Sequence, residues 1–224
     1  MNKNVLNTDL SGKVAVVTGA GGVLCSYFAK VLARAGAKVA LLDLNYEAAN
    51  KWAEEIVAEG GVAKAYSCNV LNKEICMGVA KDVMADLGPC DILVNGAGGN
   101  NPRATTDKEY FEIGDIDADT KSFFDLDADG VGFVFNLNFL GTLIPTQAFT
   151  AQMVGREGCS ILNISSMNAF TPLTSIIFCL LAGAAPATRA YPCLPSYVPS
   201  GLKFRSADAA QTARQSWICR YHCP

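Results

Sequence analysis

The chain has 224 residues, of which 50% are hydrophobic and 17% charged, and its formal net charge is −3. This length and composition allow a single globular core, and the weak negative charge offers no basic field for nucleic acid. The first residues lack the long apolar stretch of a signal peptide, and the apolar run 176–185 is too short to span a bilayer. We therefore expect a cytoplasmic protein without nucleic-acid or membrane partners. Nine cysteines at irregular spacings favour reduced thiols over a disulfide framework.

Five short apolar segments predict buried β-strands. They are residues 14–17, 39–42, 63–66, 92–94 and 161–164. Amphipathic segments separate them and predict helices over residues 24–35 and 46–58, each ending before glycine. In the first helix the apolar face is expected to consist of Leu24, Phe28, Val31, Leu32 and Ala35.

This alternation of strands and helices predicts an α/β fold. Right-handed crossovers would connect the strands into a doubly wound parallel sheet of Rossmann type. Ligands of such sheets bind beyond the carboxyl ends of the strands, where the strand order reverses. Functional residues are therefore expected at the ends of the predicted strands.

A glycine-rich turn with Gly19, Gly21 and Gly22 follows the first predicted strand and precedes the first helix. Such glycines let the backbone approach a pyrophosphate, and the helix N-terminus favours its negative charge. We accordingly expect Gly19→Val to weaken nucleotide binding much more than folding. A tight strand-to-helix connection without ligand is the alternative interpretation.

The second predicted strand ends at Asp43, about twenty residues after the glycines, where a carboxylate suits the adenosine ribose hydroxyls. A carboxylate there would repel the 2′-phosphate of NADP. The pattern therefore favours NAD. Alternatively, Asp43 caps the N-terminus of the following helix.

Three motifs at predicted strand ends resemble the short-chain dehydrogenase/reductase family. They are Ser11-Gly12-Lys13-Val14 leading into Thr18-Gly19, Asn95-Gly96-Ala97-Gly98, and Asn163-Ile164-Ser165-Ser166. Val23 and Cys25 stand where the family's common Thr-Gly-x-x-x-Gly-x-Gly pattern has its last two glycines. Similar loops occur in a branch that resembles D-mannonate oxidoreductases. The resemblance covers residues 10–174.

The resemblance implies an NAD site but no metal. The residues it places around the cofactor are Gly19, Gly21, Gly22, Leu24, Asp43, Asn69, Val70, Asn95, Gly96, Ala97 and Gly98. It implies that Asn138 helps hold a water in a proton relay and that Ser166 positions the substrate carbonyl. Judged from the residues alone, Asn138 alternatively satisfies a helix kink and Ser166 caps a turn.

The segment between Asn95 and Asn138 is longer than in most members of this family, and it is rich in acids. They are Glu109, Glu112, Asp115, Asp117, Asp119, Asp125, Asp127 and Asp129. For most of them we expect a solvated face, and for the segment a flap over the substrate entrance. Resemblance to the sugar-acid branch implies a hexonate substrate such as mannonate or fructuronate.

The sequence contains no Tyr-x-x-x-Lys, although the family uses that pair as general acid/base; Cys179 and Gly183 occupy the expected positions. Residues 175–224 also differ in composition, with a net charge of +4 and five of the nine prolines. We interpret them as a replaced C-terminus that arose by a reading-frame change, an alternative ending or an altered gene. The expected organisation is a nucleotide-binding domain over 1–174, its sheet truncated after the fifth strand, and a poorly ordered tail over 175–224.

Two functional hypotheses follow. The chain is either an NAD-dependent oxidoreductase by lineage, transferring hydride to or from a secondary alcohol or ketone, or a catalytically silent dinucleotide-binding or interaction protein. Members of the family commonly form dimers and tetramers through helices that flank the sheet. One of these helices carries the tyrosine and lysine that this chain lacks, so the resemblance does not directly imply a homo-oligomer here. Limited proteolysis is expected to cut between about Pro186 and Arg214. The Cys219, His222 and Cys223 cluster near the end has metal-ligand residue types but is not expected to bind a metal.

Overall fold

A computed structural model of the protein describes residues 8–108, 112–116, 119–165 and 218–222. Five parallel strands form the centre of the fold in the order β3-β2-β1-β4-β5. Their bounds are Val14–Thr18 for β1, Lys38–Asp43 for β2, Val62–Ser67 for β3, Ile92–Asn95 for β4 and Ser160–Ile164 for β5. All five predicted strands are therefore confirmed, and so is the doubly wound parallel sheet.

A sixth strand, β6 (Ile218–His222), pairs antiparallel with β5, Ile161 lying opposite Tyr221. The parallel part of the sheet ends at β5, as the sequence predicts. The tail over 175–224 thus contributes β6, which its composition did not predict, because five residues suffice for an edge strand. The expected cleavage region and most of the tail lie outside the described residues.

Helices cover both faces of the sheet. Their bounds are Val23–Arg34 for α1, Tyr46–Ala58 for α2, Lys73–Asp86 for α3, Ala128–Phe135 for α4 and Gly141–Thr150 for α5. Buried residues of α1 and α2 pack with alternate residues of β1 and β2 on one face, and those of α3 and α5 pack with the intervening residues on the other. The core thus has three layers, as doubly wound folds require.

The predicted apolar face of α1 is wrong in part. Leu24 and Val31 are 48% and 46% exposed, whereas the helix buries Cys25, Ser26, Ala29, Lys30 and Ala33. Small side chains on that face let the helix approach the strands closely. The larger apolar residues consequently lie at its margin or in solvent.

Lys30 is buried although it is charged. Its ammonium donates to Glu55 Oε1 at 2.5 Å and lies 4.5 Å from the centre of the Trp52 ring. Both partners belong to α2, so this cation joins the two helices that cover one face of the sheet. A buried charge is tolerated when it is paired in this way.

The acidic segment is not simply a solvated face. Asp115 is 5% exposed and pairs with Lys108, Asp125 accepts from Ser122, and Asp127 caps α4 by accepting from Gly130 N. These contacts hold the pKa of each of the three carboxyl groups below its ordinary value. The sequence prediction is therefore wrong for Asp115, while Glu112, Asp119, Asp125 and Asp129 are exposed and Asp127 is half-buried. Glu109 and Asp117 lie outside the described residues.

Five cysteines of the described part are buried and form no disulfide with one another: Cys25, Cys68, Cys76, Cys90 and Cys159. No helix within the described residues is long and apolar enough to cross a bilayer. The same residues contain no group of three or more potential metal ligands.

Candidate functional site

The strand order reverses at β1, which pairs with β2 on one side and β4 on the other. The loops that follow β1 and β4 therefore lie side by side at the carboxyl edge of the sheet, where ligands of such folds bind. A Cβ built on Gly19 would lie 2.9 Å from the backbone of Ala97 and from the Gly96 carbonyl oxygen. The two predicted loops are thus brought into direct backbone contact.

Gly19 is required by the fold itself. Its φ of +68° is in the left-handed region, and a side chain would collide with backbone atoms that cannot move aside. The expectation that Gly19→Val weakens binding much more than folding is therefore wrong, because this variant strains the turn before any ligand binds.

Asp43 is connected to the glycine loop. Its Oδ2 accepts from Gly21 N at 2.9 Å, and its Oδ1 accepts from Asn45 N at 2.8 Å. The N-cap of α2 is Asn45, whose side chain accepts from Ala48 N, so the capping interpretation of Asp43 is wrong. Each carboxylate oxygen has two acceptor positions and uses one here, which leaves acceptor capacity for two ribose hydroxyls.

Helix α1 begins directly after the glycine loop. Gly22 is its N-cap and no side chain caps the helix there. Val23, which replaces a family glycine, is 74% exposed and so does not fill the space beneath the loop. Leu24 follows in the same turn. The backbone N–H groups of this turn are therefore available to an anion.

Cys25, the second departure from the family pattern, is buried against the loop after β4. A Cβ on Gly96 would lie only 2.2 Å from Cys25 Sγ, so Gly96 provides the space that the thiol occupies. Burial, and secondarily the negative charge of Asp43, raise the pKa of the Cys25 thiol to about 11. It is therefore a neutral packing group near pH 7.

Asn69 and Val70 follow β3 at the same edge. Asn69 Oδ1 accepts from Leu71 N at 3.0 Å, which fixes the turn. Val70 is buried, and a Cβ added to Gly141 would lie 3.1 Å from Val70 Cγ2. The backbone N–H of the preceding residue, Cys68, donates to the Asp43 carbonyl oxygen at 2.9 Å. Asp43 and this turn are therefore adjacent.

Asn95 forms a buried amide network at the end of β4. Its Nδ2 donates to Thr146 Oγ1 and to Asn163 Oδ1, both at 2.9 Å, and thereby joins β4, β5 and α5. Its Oδ1 is buried without a hydrogen-bond partner in the described structure. This residue supports the central strands and is 2% exposed, so it lies beneath the site.

Asn138 lies in a π-helical turn, Asn136–Leu140, between α4 and α5. Its side chain accepts from Gly99 N at 2.8 Å and donates to Gly99 O at 2.9 Å. A Cβ on Gly98 would lie 2.7 Å from Asn138 Oδ1. Asn138 therefore both occupies a helix irregularity and holds the loop after β4. Ser166 lies outside the described residues.

Sequence reasoning missed Thr18 as a site residue. It is fully buried, and its Oγ1 accepts from the backbone N–H of both Gly96 and Ala97 at 3.1 Å. Thr18 directly precedes Gly19 in the first of the three family motifs, and this position could have identified it as a site residue. Thr146, the partner of Asn95, had no comparable signal because its role depends on tertiary contact.

The fold and the site together define a dinucleotide-binding α/β protein. Residues 13–178 match the short chain dehydrogenase family, and the chain belongs to this family. Its members are oxidoreductases that bind a nicotinamide dinucleotide. The family predicted from the motifs is thereby confirmed.

The chain is also similar to individual oxidoreductases. An uncharacterized oxidoreductase of Haemophilus influenzae is 58% identical over 170 residues, which cover 76% of this chain and 59% of that protein. A crystal structure of an inferred D-mannonate oxidoreductase from Haemophilus influenza, with bound NAD, has 56% identity and a TM-score of 0.78 over 80% of this chain and 64% of that one. A metagenomic short-chain oxidoreductase in complex with NADP has 26% identity and a TM-score of 0.66, over 79% of this chain and 72% of that one. The chain spans about three fifths of the length of the curated relatives it matches.

Proposed function

We propose that the protein binds NAD at the carboxyl edge of β1, β2 and β4, in a lineage of oxidoreductases that transfer hydride between nicotinamide and a secondary alcohol or ketone. The observation that carries this proposal is the hydrogen bond from Gly21 N to Asp43 Oδ2. It joins the loop suited to pyrophosphate with the carboxylate suited to ribose. Residues 1–174 would form this nucleotide-binding domain.

The chain's residues fit the proposed cofactor. The uncapped first turn of α1 offers N–H groups to the pyrophosphate, and Gly21 and Gly22 carry no side chain that would block it. Asp43 retains acceptor capacity for two hydroxyls, while a 2′-phosphate would meet its negative charge. Asn69 and Val70 would border the adenine. NAD is therefore preferred over NADP in this proposal.

The nicotinamide, when bound, accepts or donates the hydride. The hydrogen bonds between Asn138 and Gly99 hold the loop after β4, against which the nicotinamide ribose would lie, and Gly98 leaves the space that the Asn138 side chain needs. Asn138 would also help hold a relay water, and Ser166 would orient the substrate carbonyl. A sugar acid such as mannonate or fructuronate is the proposed substrate, supported by the inferred D-mannonate oxidoreductase among the similar structures.

Titration of the purified chain with NAD and with NADP tests the cofactor proposal. We expect NAD to bind at least about tenfold more tightly, which corresponds to about 1.4 kcal/mol. The matched variants are Asp43→Asn, which should lose this preference, and Asp82→Asn, which removes an exposed acid of α3. Equal or tighter binding of NADP by the wild-type chain would contradict the proposal.

A second function, a catalytically silent dinucleotide-binding protein, is favoured by one specific observation. No tyrosine of the sequence is followed by lysine four positions later. The two functions differ in turnover, since both require NAD binding. Incubation with NAD and mannonate, followed by the absorbance of reduced nicotinamide, separates them. Growth of that absorbance supports the oxidoreductase, and tight binding without it supports the silent protein.

A further inference from the structure

Two buried thiols face each other directly beside the turn proposed to contact adenine. Cys68 Sγ and Cys76 Sγ are 3.7 Å apart, and both residues are at most 2% exposed. Cys68 immediately follows β3, and Cys76 lies in the first turns of α3. The nine residues from Cys68 to Cys76 therefore form a loop whose two ends already meet through sulfur.

The backbone of this loop is bonded to both thiol residues. The Asn69 carbonyl oxygen accepts from Asn72 N at 3.0 Å and from Cys76 Sγ at 3.5 Å. Cys68 N donates to the Asp43 carbonyl oxygen at 2.9 Å. A displacement of either sulfur is consequently transmitted to Asn69 or to Asp43, which are both residues of the proposed NAD site.

We infer that Cys68 and Cys76 form a redox switch, in which a small-molecule disulfide oxidises the pair and thereby weakens nucleotide binding. A disulfide bond requires the sulfurs to approach from 3.7 Å to about 2.05 Å. It also removes the thiol hydrogen bond to the Asn69 carbonyl. The inference rests on the proposed NAD site, because the affected turn is the one assigned to adenine.

The exchange chemistry is balanced. The Cys76 thiolate attacks one sulfur of the small disulfide and releases one thiolate. Cys68 then loses its proton to solvent and attacks the Cys76 sulfur, which releases the second thiolate and closes the Cys68–Cys76 bond. The protein thiols lose two electrons and two protons, and the small disulfide is reduced to two thiols. The hydrogen bond from Cys68 lowers the pKa of Cys76 despite burial, which favours Cys76 as the attacking group.

Access to the pair requires only local opening. The residues that precede Cys76 in the first turn of α3, Lys73, Glu74 and Ile75, are exposed, and Asn72 Oδ1 caps that turn by accepting from Ile75 N. Opening of one terminal helical turn costs much less than global unfolding. Cys90 and Cys159 lie just before β4 and β5 at the opposite, amino edge of the sheet and are therefore away from the proposed NAD site.

The test equilibrates the whole chain with mixtures of reduced and oxidised glutathione, and maps the disulfides by non-reducing peptide mass spectrometry. We expect a Cys68–Cys76 bond to form and NAD affinity to fall by about tenfold, reversibly on reduction. If oxidation weakens NAD binding tenfold, saturating NAD must make oxidation of the pair tenfold less favourable. The midpoint potential of the two-electron couple then rises by about 30 mV. The peptide map of the wild-type chain remains decisive even if a cysteine variant does not fold.

Matched variants separate this device from other thiol chemistry. Cys76→Ala should keep its NAD affinity under oxidising conditions, whereas Cys159→Ala should respond like the wild-type chain. The inference is overturned if the bond between Cys68 and Cys76 does not form. It is also overturned if the bond forms in a chain that binds NAD when reduced and the NAD affinity does not fall. A reduced chain that does not bind NAD at all would contradict the proposed function instead, and the peptide map would still report on the pair.

Discussion

The two edges of the parallel sheet are built from opposite kinds of residues. At the amino edge the buried Asp91 accepts from Val14 N at 2.8 Å and pairs with Arg156 at 2.5 Å, so charged side chains connect β1, β4 and the segment after α5. At the carboxyl edge, Gly19 and Gly96 let two loops meet through their backbones. The Asp91 carboxylate at the amino edge is thus bonded within the protein, whereas Asp43 and the first turn of α1 at the carboxyl edge leave acceptors and donors available. Stability and binding are therefore expected to respond to different substitutions.

The largest expected effect is on stability, at the amino edge. Asp91→Ala leaves the Val14 N–H and the Arg156 guanidinium without their carboxylate, and should lower the free energy of unfolding by about 3 kcal/mol. Denaturant unfolding measures this effect. NAD affinity of the folded protein should change less than about twofold, and Glu157→Gln, at an exposed neighbouring acid, should leave both properties unchanged. A large loss of affinity with unchanged stability would contradict the division between the edges.

A second substitution probes the contact between the loops. Gly96→Ala places a Cβ 2.2 Å from Cys25 Sγ and should cost about 2 kcal/mol of stability by overpacking. Cys25→Ala removes that sulfur, so Gly96→Ala should cost clearly less in this background. A double-mutant cycle on unfolding free energies measures the coupling. Additive effects would show that the thiol does not occupy the space that Gly96 leaves.

A substitution at Gly22 is expected to weaken NAD binding without affecting folding, which no substitution at Gly19 can do. Its φ of −78° suits any residue, and a Cβ would meet only the Gly19 carbonyl oxygen, at 3.3 Å. Gly22→Ser supplies an N-cap hydroxyl that competes with pyrophosphate for the N–H groups of α1, so NAD affinity should fall about tenfold. Unfolding free energy without nucleotide should change by less than about 0.5 kcal/mol. Gly78→Ala in α3, where a Cβ meets no atom within 4 Å, is the matched control. If Gly22→Ser leaves the NAD affinity unchanged, the loop is a strand-to-helix turn that does not bind pyrophosphate.

The smallest effect depends on pH. The pKa of Cys25 is raised from 9.0 to about 11, so the neutral thiol favours the folded state, and its contribution is present below about pH 9. It is lost as pH rises towards 11, because the unfolded chain then gains more from ionisation. The stability difference between wild type and Cys25→Ala should accordingly shrink between about pH 9 and pH 11. A difference that stays constant over this range would contradict burial of the thiol.

The sequence predicted the fold well where periodicity is unambiguous. All five parallel strands are short apolar runs, whereas their order in the sheet comes from the structure alone. The buried face of α1 was missed because it consists of small residues and a paired lysine, Lys30, whose burial depends on Glu55 in another helix. Asp115 was assigned to solvent because its pairing with Lys108 is a contact that no hydrophobic pattern records. β6 was missed because an edge strand needs only a few residues.

The candidate site was predictable at its backbone positions and less so at its side-chain contacts. The glycine loop, Asp43 and the loop after β4 occupy strand ends that the sequence identifies. The Gly21–Asp43 hydrogen bond, the Cys25–Gly96 contact and the Asn138–Gly99 pair each join segments at least 22 positions apart. Such contacts follow from tertiary packing, so spacing in the sequence does not indicate them.

The ratio of NAD to NADP affinity in wild type and Asp43→Asn tests the central claim most directly, because this carboxylate is the part of the carboxyl edge that distinguishes the two nucleotides. Calorimetric titration of both proteins with both nucleotides gives the ratio, and unfolding of the nucleotide-free proteins shows whether the fold is retained. The account predicts a preference for NAD of about tenfold or more in the wild type and a ratio near one in the variant, at nearly equal stability. A ratio that is unchanged by the substitution in a folded protein would contradict it.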